Sequence, residues 1–229
     1  ILDRAKNVAD EAEIFIISAE ETPIQFETNR LKNIQNKQST IAALRIIKQG
    51  RIGYAMTTDL SNSQNLVDMA VETSQFGTSS RFEFPKLTSL PQVETFDPAT
   101  ETISTEQMIS LGEELIAGIR NHTPDLICEA AVSRSIISVN IMNSRGGNAE
   151  YKRSIFNLGV EGQLIDGTDM LFVGDGQSSC HPILKPDTIS ELVIQQLDRA
   201  KNKASVPTRE LPVVFTPDGV ASALVMPLM

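Results

Sequence analysis

Apolar residues along the chain follow two spacings, and the change from one to the other marks the elements. Leu2, Ala5, Val8 and Ala9 fit one face of a short helix. Ala12 to Ala19 (AEIFIISA) is apolar on both faces at its centre, as a strand inside a sheet is. Thr22-Pro23 opens a second strand, since Pro is tolerated at a first position. There Ile24 and Phe26 point one way, and Gln25 and Glu27 the other. Asn29-Arg30 turns the chain into a short polar strand, Leu31 to Gln38, anchored by Leu31 and Ile34. Ile41 and Ala43, then Ile52, Tyr54 and Met56, keep a period of two. Lys48-Gln49-Gly50-Arg51 is the hairpin turn between them, where Gly50 permits positive φ. Ser61 or Asn62 then caps a helix with Leu66, Met69, Ala70 and Thr73 on one face, ending near Phe76-Gly77.

From Thr78 to Thr100 neither period persists, and Pro85, Pro91 and Pro98 mark an extended surface linker. Ser104-Thr105-Glu106-Gln107 has the form of a capping box. Met108, Leu111, Leu115 and Ile119 mark the helix behind it, which ends before Pro124. Strands are expected at Leu126 to Ser133, at Ile136 to Met142, and as one long or bent strand at Glu150 to Ile165. Asn143 to Asn148 forms a turn, and Asp166-Gly167 is a hairpin signal. The returning strand, Asp169 to Val173, ends at Gly174-Asp175-Gly176. Pro186-Asp187 opens a helix with Ile189, Leu192, Val193, Leu197 and Ala200. A polar linker, a strand at Leu211 to Phe215 and a helix from Gly219 follow. The expected class is α+β. Two helix–antiparallel β-meander–helix units, 1–77 and 104–206, form a structural repeat around a Pro/Ser/Thr-rich linker, 78–103. Residues 207–229 begin a truncated C-terminal domain.

Composition narrows the function classes. Of 229 residues, 41% are hydrophobic, enough for a sizeable core; with Trp absent, that core rests on Ile, Leu, Val and Ala. A formal charge of −9 argues against direct contact with a nucleic-acid backbone, and no Lys/Arg run suggests a membrane surface. No stretch has the length of a membrane span or the pattern of a signal peptide. Cys128 and Cys180 form no disulfide framework, so a reducing cytoplasm is the expected location. The chain opens at Ile1 and stops at Met229 within an apolar run, so both ends read as the boundaries of a fragment or a cleaved product.

Few residues suggest chemistry. Cys180-His181 has the types of a nucleophile pair or of two metal ligands, but neighbours in a strand face opposite ways and no third partner is evident. His122 stands at a helix end, where its ring can meet terminal carbonyls. Gly174-Asp175-Gly176 lacks the rest of a phosphate-binding fingerprint and reads as a turn, as does Ser144-Arg145-Gly146-Gly147. Glu113, Glu114 and Arg120 read as a solvated helix face, and Arg30 and Arg51 as strand-end residues.

One ordered stretch goes further. Asn29-Arg30-Leu31-Lys32, then Leu44 to Ala55 (LRIIKQGRIGYA), then Thr57-Thr58-Asp59-Leu60 resemble the N-terminal segment of the TldD/PmbA family, historically called modulators of DNA gyrase. Asn143-Ser144, Tyr151-Lys152-Arg153 and Asp166 to Met170 fit the same family's style. Family members are roughly twice this length, so the resemblance implies that the C-terminal half is missing. It also implies zinc metallopeptidase chemistry in TldD-type members, through a H-E-x-x-x-H signature after a strand like Val213-Val214-Phe215-Thr216-Pro217. Counted without gaps, the first His falls at Val225, the Glu at Met226 and the second His one residue past the end. Val has no donor atom and Met cannot act as a general base. No catalytic, cofactor-binding or metal residue is therefore assigned here.

By this resemblance the chain is a PmbA/TldE-type subunit without its own metal in a cytoplasmic peptidase complex acting on small or unfolded peptides. Zinc is expected on a TldD-type partner; the chain partners that subunit or itself as a dimer, and exposed strand edges can take up peptide. The alternative is an interaction module that modulates DNA gyrase or its inhibitors without peptidase activity. A third reading is a hydrolase using Cys180 and His181.

Overall fold

Several stretches divided by sequence punctuation run on as single strands in the computed structural model, which describes residues 1–86, 91, 93–202 and 204–229. The elements are α1 (Leu2–Lys6), β1 (Glu11–Glu27), β2 (Arg30–Ile34), β3 (Lys37–Lys48), β4 (Arg51–Thr57), α2 (Ser63–Ser74), α3 (Pro98–Thr102), α4 (Thr105–His122), β5 (Ile127–Asn143), β6 (Asn148–Asp166), β7 (Asp169–Ser179) and α5 (Asp187–Ala200). After them come α6 (Pro217–Val220), a π-helical turn (Ala221–Val225) and α7 (Met226–Leu228). The seven strands form one antiparallel sheet, ordered β4-β3-β1-β5-β6-β7, with β2 also paired to β1. The fold is α+β, as expected. The two meanders share this sheet because β1 pairs with β5 from Glu13↔Asn143 to Phe26↔Ala130.

β1 does not break at Thr22-Pro23. On one side it pairs with β3 as far as Glu21↔Lys37, and β2 takes over at Ile24↔Ile34. Pro23 stands where the partner changes, so its missing N–H breaks no ladder bond there. β5 likewise runs through Arg134-Ser135, whose backbone stays in the ladder while the Arg134 guanidinium donates to the Glu101 and Ile103 carbonyls at 2.6 and 2.8 Å. β7 runs through Gly174-Asp175-Gly176, with Gly176 opposite Gly159 on β6. The hairpin at Gln49-Gly50 has positive φ at both residues, 51° and 73°, as a type I′ turn requires.

α2, α4 and α5 pack on one face of the sheet, in two groups. Ala12, Ile14, Leu44, Ile46 and Ala55 meet Leu66, Val67 and Ala70 of α2. Ile24, Phe26, Val132, Phe156 and Leu158 meet Met108, Leu115 and Ile119 of α4 and Ile189, Val193 and Leu197 of α5. Between the two cores lies a polar saddle where the Ser18 and Thr40 hydroxyls bond at 3.0 Å. α2 starts at Asn62, whose side chain accepts from the Asn65 N–H; Met69 stays exposed while Val67 and Ser74 are buried instead. α4 has the full capping box of Ser104 and Gln107 and buries Met108, Leu111, Leu115 and Ile119.

The described part of the 78–103 linker is a strap rather than a free tether; residues 87–90 and 92 of that expectation lie outside the described residues. Ser79 bridges to Arg51, and the Phe84 ring is buried beneath the Arg45 guanidinium, 5.0 Å from its centroid. Pro98 opens α3 behind the Asp97 cap. Leu211–Phe215, expected as a strand, is irregular and exposed, because no strand among the described residues offers it a ladder.

Candidate functional site

Where the strap reaches the helix face, it builds a polar cluster around His181, one of the residues singled out in the sequence. The Ser154 N–H donates to the Thr95 carbonyl at 2.9 Å, and the Asp97 N–H to the Ser154 hydroxyl at 2.8 Å. One Asp97 oxygen accepts from the Ala99 N–H; the other lies 2.7 Å from His181 Nδ1. These bonds hold the Asp97 carboxyl below the usual carboxylate range, His181 contributing most. The Thr100 and Ser154 hydroxyls both donate to the Cys180 carbonyl, at 2.8 and 2.7 Å. Thus His181 has the acidic partner that sequence reading missed, contributed from 84 residues away. The hydroxyls around it are already engaged, and Cys180 takes part through its backbone carbonyl. The geometry is that of a clasp holding the strap to β6 and the end of β7, not of an activated nucleophile.

The other singled-out residues lie apart. His122 does not cap its own helix: its Nε2 lies 3.3 Å from Asp198 on α5, and Nδ1 lies 2.9 Å from the Thr123 hydroxyl. Arg120 instead takes the Pro124 carbonyl, at 2.8 and 3.2 Å. Arg145 pairs with Glu11 and Glu83, tying the β5–β6 turn to the strap. Arg51 donates to the Gly77 carbonyl at 2.9 Å. Cys128 is buried, and burial pushes its thiol up, away from the reactive thiolate. Glu113 and Glu114 are exposed, as expected of a solvated face.

On the opposite face of the sheet, a depression of about 920 Å³ crosses β1, β5, β6 and β7. Ala131, Gly159, Gly174 and Gly176 line it, and Glu27, Glu129, Glu161 and Phe172 stand around it. Glu129 and Glu161 are directly opposite in the ladder.

Both outer strands are plugged from the helix layer. The Thr73 hydroxyl of α2 lies 2.9 Å from both the Tyr54 N–H nitrogen and the Tyr54 carbonyl on β4. On β7, the Gln196 amide of α5 accepts from the Gly174 N–H at 3.0 Å and donates to its carbonyl at 2.9 Å. Matching helices thus close matching edges. The available signal was a polar residue inside an apolar helical stripe: Thr73 beside Ala70, and Gln196 beside Val193 and Leu197.

Residues 12–74, from β1 to the end of α2, match the family model described as PmbA/TldA metallopeptidase domain 1. Over this segment the chain is similar to the first domain of that family. No curated protein matches it. Among solved structures, TldE from Thermococcus kodakarensis is similar with a TM-score of 0.79 at 15% identity, covering 88% of this chain and 47% of that one. A protein from Thermotoga maritima MSB8, named as a modulator of a DNA gyrase, has a TM-score of 0.79 at 15% identity, covering 90% and 49%. A Bacteroides thetaiotaomicron VPI-5482 protein, named as a modulator of DNA gyrase, has 0.74 at 15%, covering 86% and 48%. These likenesses show the shared fold. The chain spans about half the length of the solved structures it matches.

The metal chemistry in the family's name can be tested against this chain's donors. Val225 and Met226 lie at the junction of the π-helical turn and α7, 45% and 70% exposed. A hydrocarbon and a thioether do not fit zinc, which takes imidazole, thiolate or carboxylate. Among the described residues, no group of three His, Cys, Asp or Glu side chains is placed to hold a metal ion. No described helix is long and apolar enough to cross a membrane.

Proposed function

We propose that the protein is a PmbA/TldE-type subunit, without a zinc site at the family's position, of a cytoplasmic metallopeptidase complex that degrades or matures small or unfolded peptides. The match of residues 12–74 to a metallopeptidase-family domain carries this reading. The similarity to TldE and the residue types at Val225 and Met226 support the subunit assignment. In this reading zinc and the hydrolytic step belong to a TldD-type partner, while this subunit helps enclose and hold the peptide. The formal charge of −9 suits protein partners rather than a nucleic-acid backbone.

The test is cleavage of an unfolded peptide by the full-length protein alone, by a TldD-type subunit alone, and by both together. Cleavage that needs the mixture, or rises strongly in it, supports the reading. Cleavage by this protein alone would overturn it. Capture of gyrase by the full-length protein, with no stimulation of cleavage in the mixture, would favour the gyrase-modulating alternative.

A further inference from the structure

Among the described residues, the sheet's edges are covered at single points. Thr73 and the Thr78 carbonyl bond β4 at Tyr54 and Ile52, Gln196 bonds β7 at Gly174, and Thr95 bonds β6 at Lys152 and Ser154, where β7 has ended. Along the outer side of β2 and the first part of β3, Arg30 to Ile41, the described residues make no such bond. Here β4 gives no cover, because its ladder with β3 begins only at Ala42↔Thr57. Residues 30 to 39 are exposed except Asn33, which is half-buried. We propose that this edge docks an extended peptide segment whose residues alternate between acidic and apolar, by addition of a strand.

The charge pattern sets the partner's chemistry. Arg30, Lys32 and Lys37 lie on the open edge, and no acidic residue occurs from Arg30 to Ile41. Each base is backed from the inner side: Arg30 is opposite Glu27, Lys37 is opposite Glu21, and Lys32 lies 3.2 Å from Glu27. An incoming acidic strand continues this alternation outward, since opposite charges across neighbouring strands stabilise a sheet. A second copy pairing through the same edge would set basic residues against basic residues, which disfavours self-pairing.

The apolar pattern agrees. Leu31 and Ile34 are opposite Phe26 and Ile24, at the border of the larger core, yet remain 41% and 43% exposed. Alternate side chains of an added strand would cover them, while the intervening acidic ones face the bases. This inference stands beside the peptidase-complex reading and does not depend on zinc or on a partner subunit.

The test uses full-length protein and two fluorescent peptides, one alternating Val with Glu and one alternating Val with Lys. Binding is read by anisotropy, and location by amide hydrogen exchange. The acidic peptide should bind about tenfold or more tightly than the basic one and slow exchange within 30–41. Combined reversal by Arg30→Glu, Lys32→Glu and Lys37→Glu, all on the exposed edge, should invert the preference. N-methylating alternate nitrogens of the acidic peptide should abolish binding to the unaltered protein, because strand addition needs main-chain bonds. Equal affinities, protection at another edge, or binding that survives N-methylation would overturn the proposal. So would protection of 30–41 that rises with protein concentration in the absence of peptide, the result expected of a second copy.

Discussion

At the scale of single residues, close approach and charge decide what can be changed. Gly53 on β4 faces α2 so closely that an added Cβ would lie 2.1 Å from the Ala70 carbonyl oxygen. That contact is with backbone, so neither side can yield cheaply. Gly53→Ala should therefore cost about 1–3 kcal/mol, read as a lower urea midpoint; an unchanged midpoint would contradict this packing. Glu129 and Glu161 are a like-charged pair directly across the ladder. Glu161→Lys replaces repulsion with attraction and should stabilise the protein by roughly 0.2–1 kcal/mol. The gain should shrink in high salt, since both positions are exposed.

At the scale of elements, local signals were readable and long-range ones were not. The capping box at Ser104 and Gln107, the stripe from Met108 to Ile119 and the turn at Gln49-Gly50 follow from chemistry within a few residues. Pro23 misled because a proline's cost depends on which strand lies beside it, a fact set by pairing with β2 and β3. Gly174-Asp175-Gly176 misled because its support comes from Gly159 and Gln196, far away in sequence. Of the clasp, His181 was visible and Asp97 was not, for the same reason. The clasp has a pH signature. The folded Asp97 carboxyl lies below its unfolded value of about 3.9, so its contribution is present above that pH and is lost as pH falls through the folded value. Exchange at the Ser154 amide, corrected for its intrinsic rate, should therefore rise as pH falls below about 3.9. Asp97→Asn should remove most of that rise; an identical profile in the variant would show that the clasp does not depend on this carboxylate.

At the scale of the whole molecule, β1 joins what composition and spacing presented as two units. Ile17 pairs with Ile41 on one side and Val139 on the other, between the two cores. A proline there deletes a donor from a central strand, so Ile17→Pro should remove exchange protection from α2 and α4 together. Loss confined to one of them would mean that the units hold themselves independently. The same joined sheet is the part shared with structures about twice as long, TldE among them. The functional claim is that this subunit serves a metallopeptidase without supplying its metal. The most direct test is zinc content per chain in the full-length protein, purified alone, reconstituted with zinc and dialysed, beside a TldD-type subunit treated identically. The account predicts well under one zinc per chain here and close to one in the partner. One tightly held zinc per chain in this protein alone would contradict it and place ligands elsewhere than Val225 and Met226.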